Sequence, residues 1–118
     1  MKSVDALLDR EYDINNYNCV HFLCEAWKYL FDESLDDRLN GFLRAIIDKQ
    51  FIKKDLRTFQ KIPKPIEPCI VVMQANLQAP HVGLFYCGNV LHLNGHQAAK
   101  FEPIHMASLG YERVSYYT

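Results

Sequence analysis

The chain has 118 residues, of which 49% are apolar and 13% are aromatic. This length predicts a single domain, residues 1–118, with enough apolar side chains to form a buried core. The net charge of −1 gives no electrostatic basis for binding nucleic acid or an anionic membrane surface. No apolar run approaches the roughly 18 residues of a transmembrane helix. We therefore expect no nucleic-acid partner and no membrane partner.

The N-terminal sequence and the cysteine spacing bear on location and cofactors. The stretch MKSVDALLDREYD has acidic residues where a signal peptide has a continuous apolar segment, so we expect synthesis in the cytoplasm without a signal peptide. The cysteines lack the CxxC spacing of structural zinc sites, and a chain with this much core does not need a disulfide framework. They are Cys19, Cys24, Cys69 and Cys87.

Helices are expected in the first half of the chain, where most of the charged residues lie. The sequence predicts a short helix over residues 3–11 and a helix over 36–50, with a further turn or short helix over 53–61. Between the first two, Asn18 is expected to cap a helix that begins at Cys19 and ends near Phe31. Its apolar positions have helical spacing: Cys19, Phe22, Leu23, Ala26, Trp27 and Leu30.

Strands are expected after the proline-rich stretch KIPKPIEPC, because prolines at this density end a helix. The next segments are rich in β-branched and aromatic residues, and Gly88-Asn89 is a candidate for a tight turn between two of them. Helices followed by strands joined through hairpins predict an α+β fold with an antiparallel sheet of about five strands. The predicted strands are residues 69–74, 81–87, 89–94, 98–104 and 111–117.

Cys19 has two interpretations. A thiol at a helix N-terminus meets the positive end of the helix dipole and unpaired N–H groups, which favour the nucleophilic thiolate and can stabilise an oxyanion. Cys19 also belongs to the apolar stripe of its helix, which is typical of a buried cysteine without chemistry. The helix alone does not decide between them.

A catalytic cysteine needs a base, and the base needs an orienting partner. His81 opens a predicted strand, and His92 lies in the next one. With Gly88-Asn89 as the turn, His92 falls opposite position 85, too far from His81 for a direct bond unless a bulge or longer loop intervenes. Asn94 is nearer in that register. We take His92 as the first candidate for the orienting residue and Asn94 as the second.

The stretch YNCVHFLCEAW followed by HVGLFYCGNVLHLN resembles the NlpC family of papain-like cell-wall peptidases over roughly residues 12–94. In that family a cysteine starts a helix, a histidine opens a later strand, and a polar residue follows on the next strand. The resemblance implies a papain-like fold in which Cys19, His81 and His92 are catalytic. It also implies a tyrosine that helps to bind the substrate carbonyl, for which Tyr12 is the candidate and Tyr17 the alternative.

The resemblance also implies a function. A family member would be a cysteine hydrolase that cleaves an amide bond in peptidoglycan stem peptides without a cofactor. A zinc site at Cys19, His81 and His92 is disfavoured because no fourth ligand has suitable spacing. The sequence is similar to compact, phage-type members, which implies phage tail or secretion-apparatus proteins as partners. The expected location is then the periplasm and cell wall after delivery, or a virion.

Two alternatives follow from the cysteine box. NCVHF departs from the DCSGF that is usual in the peptidases, which leaves open a catalytically silent structural or binding module of the same fold. NCVHF is also similar to the NCEHF box of lecithin:retinol acyltransferase-like enzymes, which move acyl chains with the same thiol chemistry. In those enzymes the histidine motif precedes the cysteine box. Here the cysteine comes first, which favours the peptidases.

Overall fold

The computed structural model describes residues 3–13, 17–35, 59–75, 80–95 and 98–118. Within these ranges the chain has an α+β fold, as predicted, in which one long helix packs on an antiparallel sheet. In chain order the elements are a 3₁₀ helix (Val4–Leu7), α1 (Cys19–Phe31), β1 (Lys61–Ile62), β2 (Cys69–Gln74), β3 (His81–Tyr86), β4 (Asn89–His92), β5 (Lys100–Glu102), α2 (Ile104–Ala107) and β6 (Arg113–Tyr117).

The sheet in the described part of the chain has six strands in the order β1-β6-β2-β3-β4-β5, and every pair is antiparallel. The expectation of about five strands is therefore wrong. All five predicted strands are present, mostly shorter than predicted, and the additional strand is β1, which pairs with the end of β6. β1 is only two residues long and lies next to Pro63, so its sequence carries no strand pattern.

The turn between β3 and β4 is formed by Cys87 and Gly88, whereas the sequence pointed to Gly88-Asn89. Both turn residues have positive φ, 49° at Cys87 and 77° at Gly88. This conformation suits a two-residue hairpin but is uncommon for cysteine, which is why the sequence favoured the Gly-Asn pair. The turn places Tyr86 opposite Asn89, and the register shifts accordingly.

Helix α1 has the predicted bounds, and both of its ends have a clear physical cause. The Asn18 side chain accepts hydrogen bonds from the amides of Val20 and His21, and the His21 ring accepts one from the Asn18 amide. This reciprocal capping satisfies N–H groups that have no partner within the helix. At the other end Asp32 adopts a left-handed conformation that stops the helix.

The sheet is buried on both faces. Along β2 alternate side chains enter two different clusters, which accounts for the uninterrupted apolar run of this strand. One cluster lies between α1 and the sheet, and its strand residues include Ile70, Val72, Val82, Leu84 and Leu91. The other lies on the opposite face and includes Val71, Met73, Val90 and Ala107, the last from α2.

The remaining predictions have mixed outcomes. The first predicted helix is a 3₁₀ helix limited to Val4–Leu7. The helix predicted over 36–50 lies outside the described residues, as does most of the 53–61 segment. No helix in the described ranges is both long enough and apolar enough to span a membrane.

Candidate active site

Cys19 is the first residue of α1 and is buried, with 5% of its surface exposed. The backbone amides of Val82 on β3 and of Cys19 and Val20 at the start of the helix lie close enough to its sulfur to favour the thiolate. Burial raises the pKa of the Cys19 thiol, and the three amides oppose this effect without overcoming it. The thiol is therefore protonated at neutral pH, and the thiolate expected from the helix N-terminus is not present in the resting state.

His81 and His92 form a direct hydrogen bond in which Nε2 of His81 lies 2.8 Å from Nδ1 of His92. Both residues are buried, with 6% and 3% of their surface exposed. The register predicted from the sequence, with Gly88-Asn89 as the turn, places the two histidines too far apart for this bond. The observed pairing of Leu84 with Leu91, continued along the hairpin, brings His92 opposite Gly83, next to His81 on the same face of the sheet.

Gly83 makes room for this contact. A Cβ atom at Gly83 would lie 3.0 Å from Cβ of His92 and 2.8 Å from Cγ1 of Val90. Because positions 81 and 83 share a face of β3, any side chain at 83 would occupy the space beside His81 into which the His92 ring extends. The motif HVGLF thus places a histidine and the space for its partner two residues apart.

Glu102 on β5 extends the histidine pair. Its Oε1 lies 3.0 Å from Nε2 of His92, so both ring nitrogens of His92 are engaged. The Glu102 side chain keeps 23% of its surface exposed. The described structure thus contains a continuous hydrogen-bonded series, His81–His92–Glu102, that ends at an acidic residue.

Both histidines are uncharged at neutral pH. Burial, with a contribution from the neighbouring His92, lowers the pKa of His81 from 6.5 to about 3. Burial also lowers the pKa of His92, although the hydrogen bond and the charge of Glu102 favour its protonated form. A neutral imidazole can accept a proton, so His81 is in the protonation state that a general base requires.

Tyr111, in the connector before β6, links the histidines to the cysteine. Its ring stacks on His81, with centroids 5.9 Å apart and an angle of 13° between the planes. Burial raises the pKa of Tyr111, and the charge of a Cys19 thiolate would raise it further, so the phenol lies near the sulfur. Tyr111 therefore lies close to both His81 and Cys19, and the amide of β3 that faces the sulfur belongs to Val82, the residue that follows His81.

The other candidates from the sequence lie at different distances from this group. Tyr12 is close enough to Cys19 for a thiolate charge to raise its pKa, in addition to the effect of burial. The Tyr17 hydroxyl instead donates to Glu25, away from the thiol. Asn94 hydrogen-bonds Tyr111 rather than His81, and its oxygen accepts from the amide of Gly95 at 2.9 Å. The structure therefore groups Cys19, His81, His92 and Tyr12.

Two residues of this cluster were not found by sequence reasoning. Glu102 lies in a predicted strand, where Lys100 and Glu102 alternate with the apolar Phe101. This alternation is the one signal in the sequence that places Glu102 on the polar face of the strand. Without the β4–β5 register, nothing in the sequence connected it to His92. Tyr111 lies in a connector, and only the fold brings a connector residue over a strand that precedes it by many residues.

The fold and site define an α+β protein with a buried thiol at the start of a helix and a buried His–His–Glu series on the sheet that this helix packs against. No family model, no curated protein and no solved structure matches this chain. In the described ranges no group of three or more histidine, cysteine, aspartate or glutamate side chains is arranged to hold a metal ion.

Proposed function

We propose that this protein is a papain-like cysteine hydrolase of the NlpC type that cleaves an amide bond in peptidoglycan stem peptides. Two observations carry the proposal: the His81–His92–Glu102 series, and the Cys19 thiol facing the amide of Val82, the residue that follows His81. A cysteine at a helix start, packed against an antiparallel sheet with a histidine opening a strand, supports the papain-like assignment. The substrate class rests on the resemblance of the two sequence motifs to the family.

In the proposed reaction His81 removes the thiol proton as the sulfur attacks the amide carbonyl. Nε2 of His81 is engaged by His92, so Nδ1 is the nitrogen that receives the proton. A C–S bond forms, and the carbonyl electron pair moves onto oxygen. The tetrahedral intermediate then releases the amine, which takes the proton from His81. Water, deprotonated by the same nitrogen, hydrolyses the thioester and regenerates the thiol.

Because the thiol is protonated at rest, proton transfer and attack are coupled in this scheme. The burial that raises the pKa of Cys19 also excludes water, which strengthens every electrostatic interaction at the sulfur. The oxyanion would be stabilised by the Cys19 amide at the helix start, with the Tyr12 hydroxyl as a second donor. The phage tail or secretion-apparatus partners implied by the resemblance would deliver the enzyme to the wall.

We expect Cys19→Ala to abolish cleavage of purified muropeptides, measured by mass spectrometry of the products. The residue supplies the nucleophile, so the loss should be at least on the order of 1000-fold. Cys24→Ala is the matched control, because Cys24 is also a buried cysteine of α1. Undiminished cleavage by Cys19→Ala would rule out the thiol mechanism.

The burial of Cys19 also favours a second candidate, a structural or binding module that has lost turnover. Wild-type protein that binds muropeptides without cleaving them would support this module. The acyltransferase alternative rests on the NCVHF box. It would appear in the same experiment, with an added acyl donor, as an acyl-enzyme mass on the wild-type protein that is missing from Cys19→Ala.

A further inference from the structure

The His81–His92–Glu102 series has a direction that is fixed at its acidic end. An ionised carboxylate only accepts hydrogen bonds, so Nε2 of His92 must carry the hydrogen in its 3.0 Å bond to Glu102. In a neutral imidazole one nitrogen carries a hydrogen and the other accepts. Nδ1 of His92 is therefore the acceptor in the 2.8 Å bond to His81.

The direction of the His81–His92 bond fixes the tautomer of His81. If Nδ1 of His92 accepts, Nε2 of His81 must donate, and the single hydrogen of the neutral His81 ring is on Nε2. Nδ1 of His81 then keeps its lone pair. Without an acceptor at position 102, the His92 ring could carry its hydrogen on either nitrogen, and the bond between the rings could run in the opposite direction.

We propose that Glu102 is a positioning residue that sets the tautomers of both His92 and His81 and thereby leaves Nδ1 of His81 as the basic nitrogen. The inference rests on the proposed function in one respect only, namely that the proton accepted by Nδ1 of His81 comes from the Cys19 thiol. Glu102 acts through His92, and it lies on β5, outside the YNCVHFLCEAW and HVGLFYCGNVLHLN stretches.

The surroundings of the series agree with this assignment. Tyr111 meets His81 through its ring face, so this contact does not compete for a ring nitrogen. Lys100 is paired with His92 across the β4–β5 ladder, and its positive charge disfavours protonation of the His92 ring. A neutral His92 is the state in which one nitrogen donates and the other accepts.

The test is nitrogen NMR of the imidazole rings in the folded protein at neutral pH, which distinguishes the two tautomers. In the wild-type protein both His81 and His92 should carry hydrogen on Nε2. Glu102→Met removes the acceptor at similar size and should convert a measurable fraction of His92, and with it His81, to the Nδ1–H form. Glu102→Gln keeps an oxygen acceptor and should retain the wild-type tautomers.

Activity provides the second readout. Glu102→Met should lower kcat about tenfold or more with little change in KM, because orientation of the base rather than substrate binding is lost, and Glu102→Gln should recover part of it. Glu33→Met, at an exposed glutamate beyond the C-terminal end of α1, should change neither readout.

The outcomes separate this inference from the proposed function. Hydrogen on Nδ1 of His81 in the wild-type protein would overturn the inference, and that measurement needs no variant to fold. Unchanged tautomers in folded Glu102→Met would also overturn it. If the tautomers behave as expected while the wild-type protein cleaves no muropeptide, the inference stands and the proposed function fails.

Discussion

Gly83 is the residue on which the contact between the two histidines depends. It has no side chain at a point where a Cβ atom would meet His92 and Val90 at 3.0 Å or less. The nearest atom is Cγ1 of Val90 at 2.8 Å, but the Cβ of His92 at 3.0 Å and the carbonyl oxygen of Leu91 at 3.2 Å cannot move away without moving their strand. The glycine is therefore required by space and not by backbone conformation.

We expect Gly83→Ala to lower the free energy of unfolding by about 1–3 kcal/mol, the usual cost of overpacking, and to separate the two rings. Urea denaturation measures the first effect, and the imidazole NMR measures the second. Gly95→Ala is the matched control, because its Cβ would meet only Tyr12, at an ordinary 3.9 Å. Equal stability of the two variants would contradict the steric argument.

Individual site residues were predictable to different extents. Cys19, His81 and His92 were identified from the motif, because their types and order carry chemical meaning. The contact between His81 and His92 was not predictable, since it depends on Cys87 adopting a positive φ that its side chain disfavours. Glu102 needed the pairing of β4 with β5, which no local sequence pattern specifies.

At the level of elements, α1 presents Cys19 to the strand that carries His81. Its start is fixed by Asn18, whose side chain accepts from two helix amides at 2.8 and 3.2 Å. Periodicity predicted this helix and its cap correctly because both signals are local. β1 was missed because two residues are too few to show alternation.

We expect Asn18→Ala to destabilise the protein by about 1 kcal/mol, the typical value for an N-cap. The substitution removes the acceptor for the amides of Val20 and His21, which are otherwise without a partner in the helix. Urea denaturation measures the change. Asn18→Ser keeps a capping oxygen and should recover most of the stability, so two equally unstable variants would argue against capping as the cause.

At the level of the whole molecule, the protein buries neutral histidines in a small sheet. In the unfolded chain His81 takes up a proton below about pH 6.5, whereas in the folded protein it does so only near pH 3. The unfolded state therefore binds more protons between these values, and stability falls as the pH decreases through this window. His92 contributes with the same sign, since burial lowers its pKa as well.

We expect this loss to approach about 1.4 kcal/mol per pH unit for one proton, and we expect His81→Gln to remove the His81 contribution. Urea denaturation between pH 7 and pH 4 measures the slope. Carboxylates also titrate in this range, so the informative quantity is the difference between the wild-type and variant slopes. His105→Gln, at an exposed position of α2, should leave the slope unchanged. Parallel slopes for all three proteins would contradict a neutral, buried His81.

The strand order has a consequence for how the chain acquires its chemistry. The residues of the candidate site come from α1, β3, β4, β5 and the connector before β6, so elements distant in the chain must meet before the site exists. Contacts between distant parts of a chain form slowly during folding, because loop closure costs entropy before the contacts compensate for it. A nascent or partly folded chain therefore lacks the candidate site, which is assembled only when the last strand has joined the sheet.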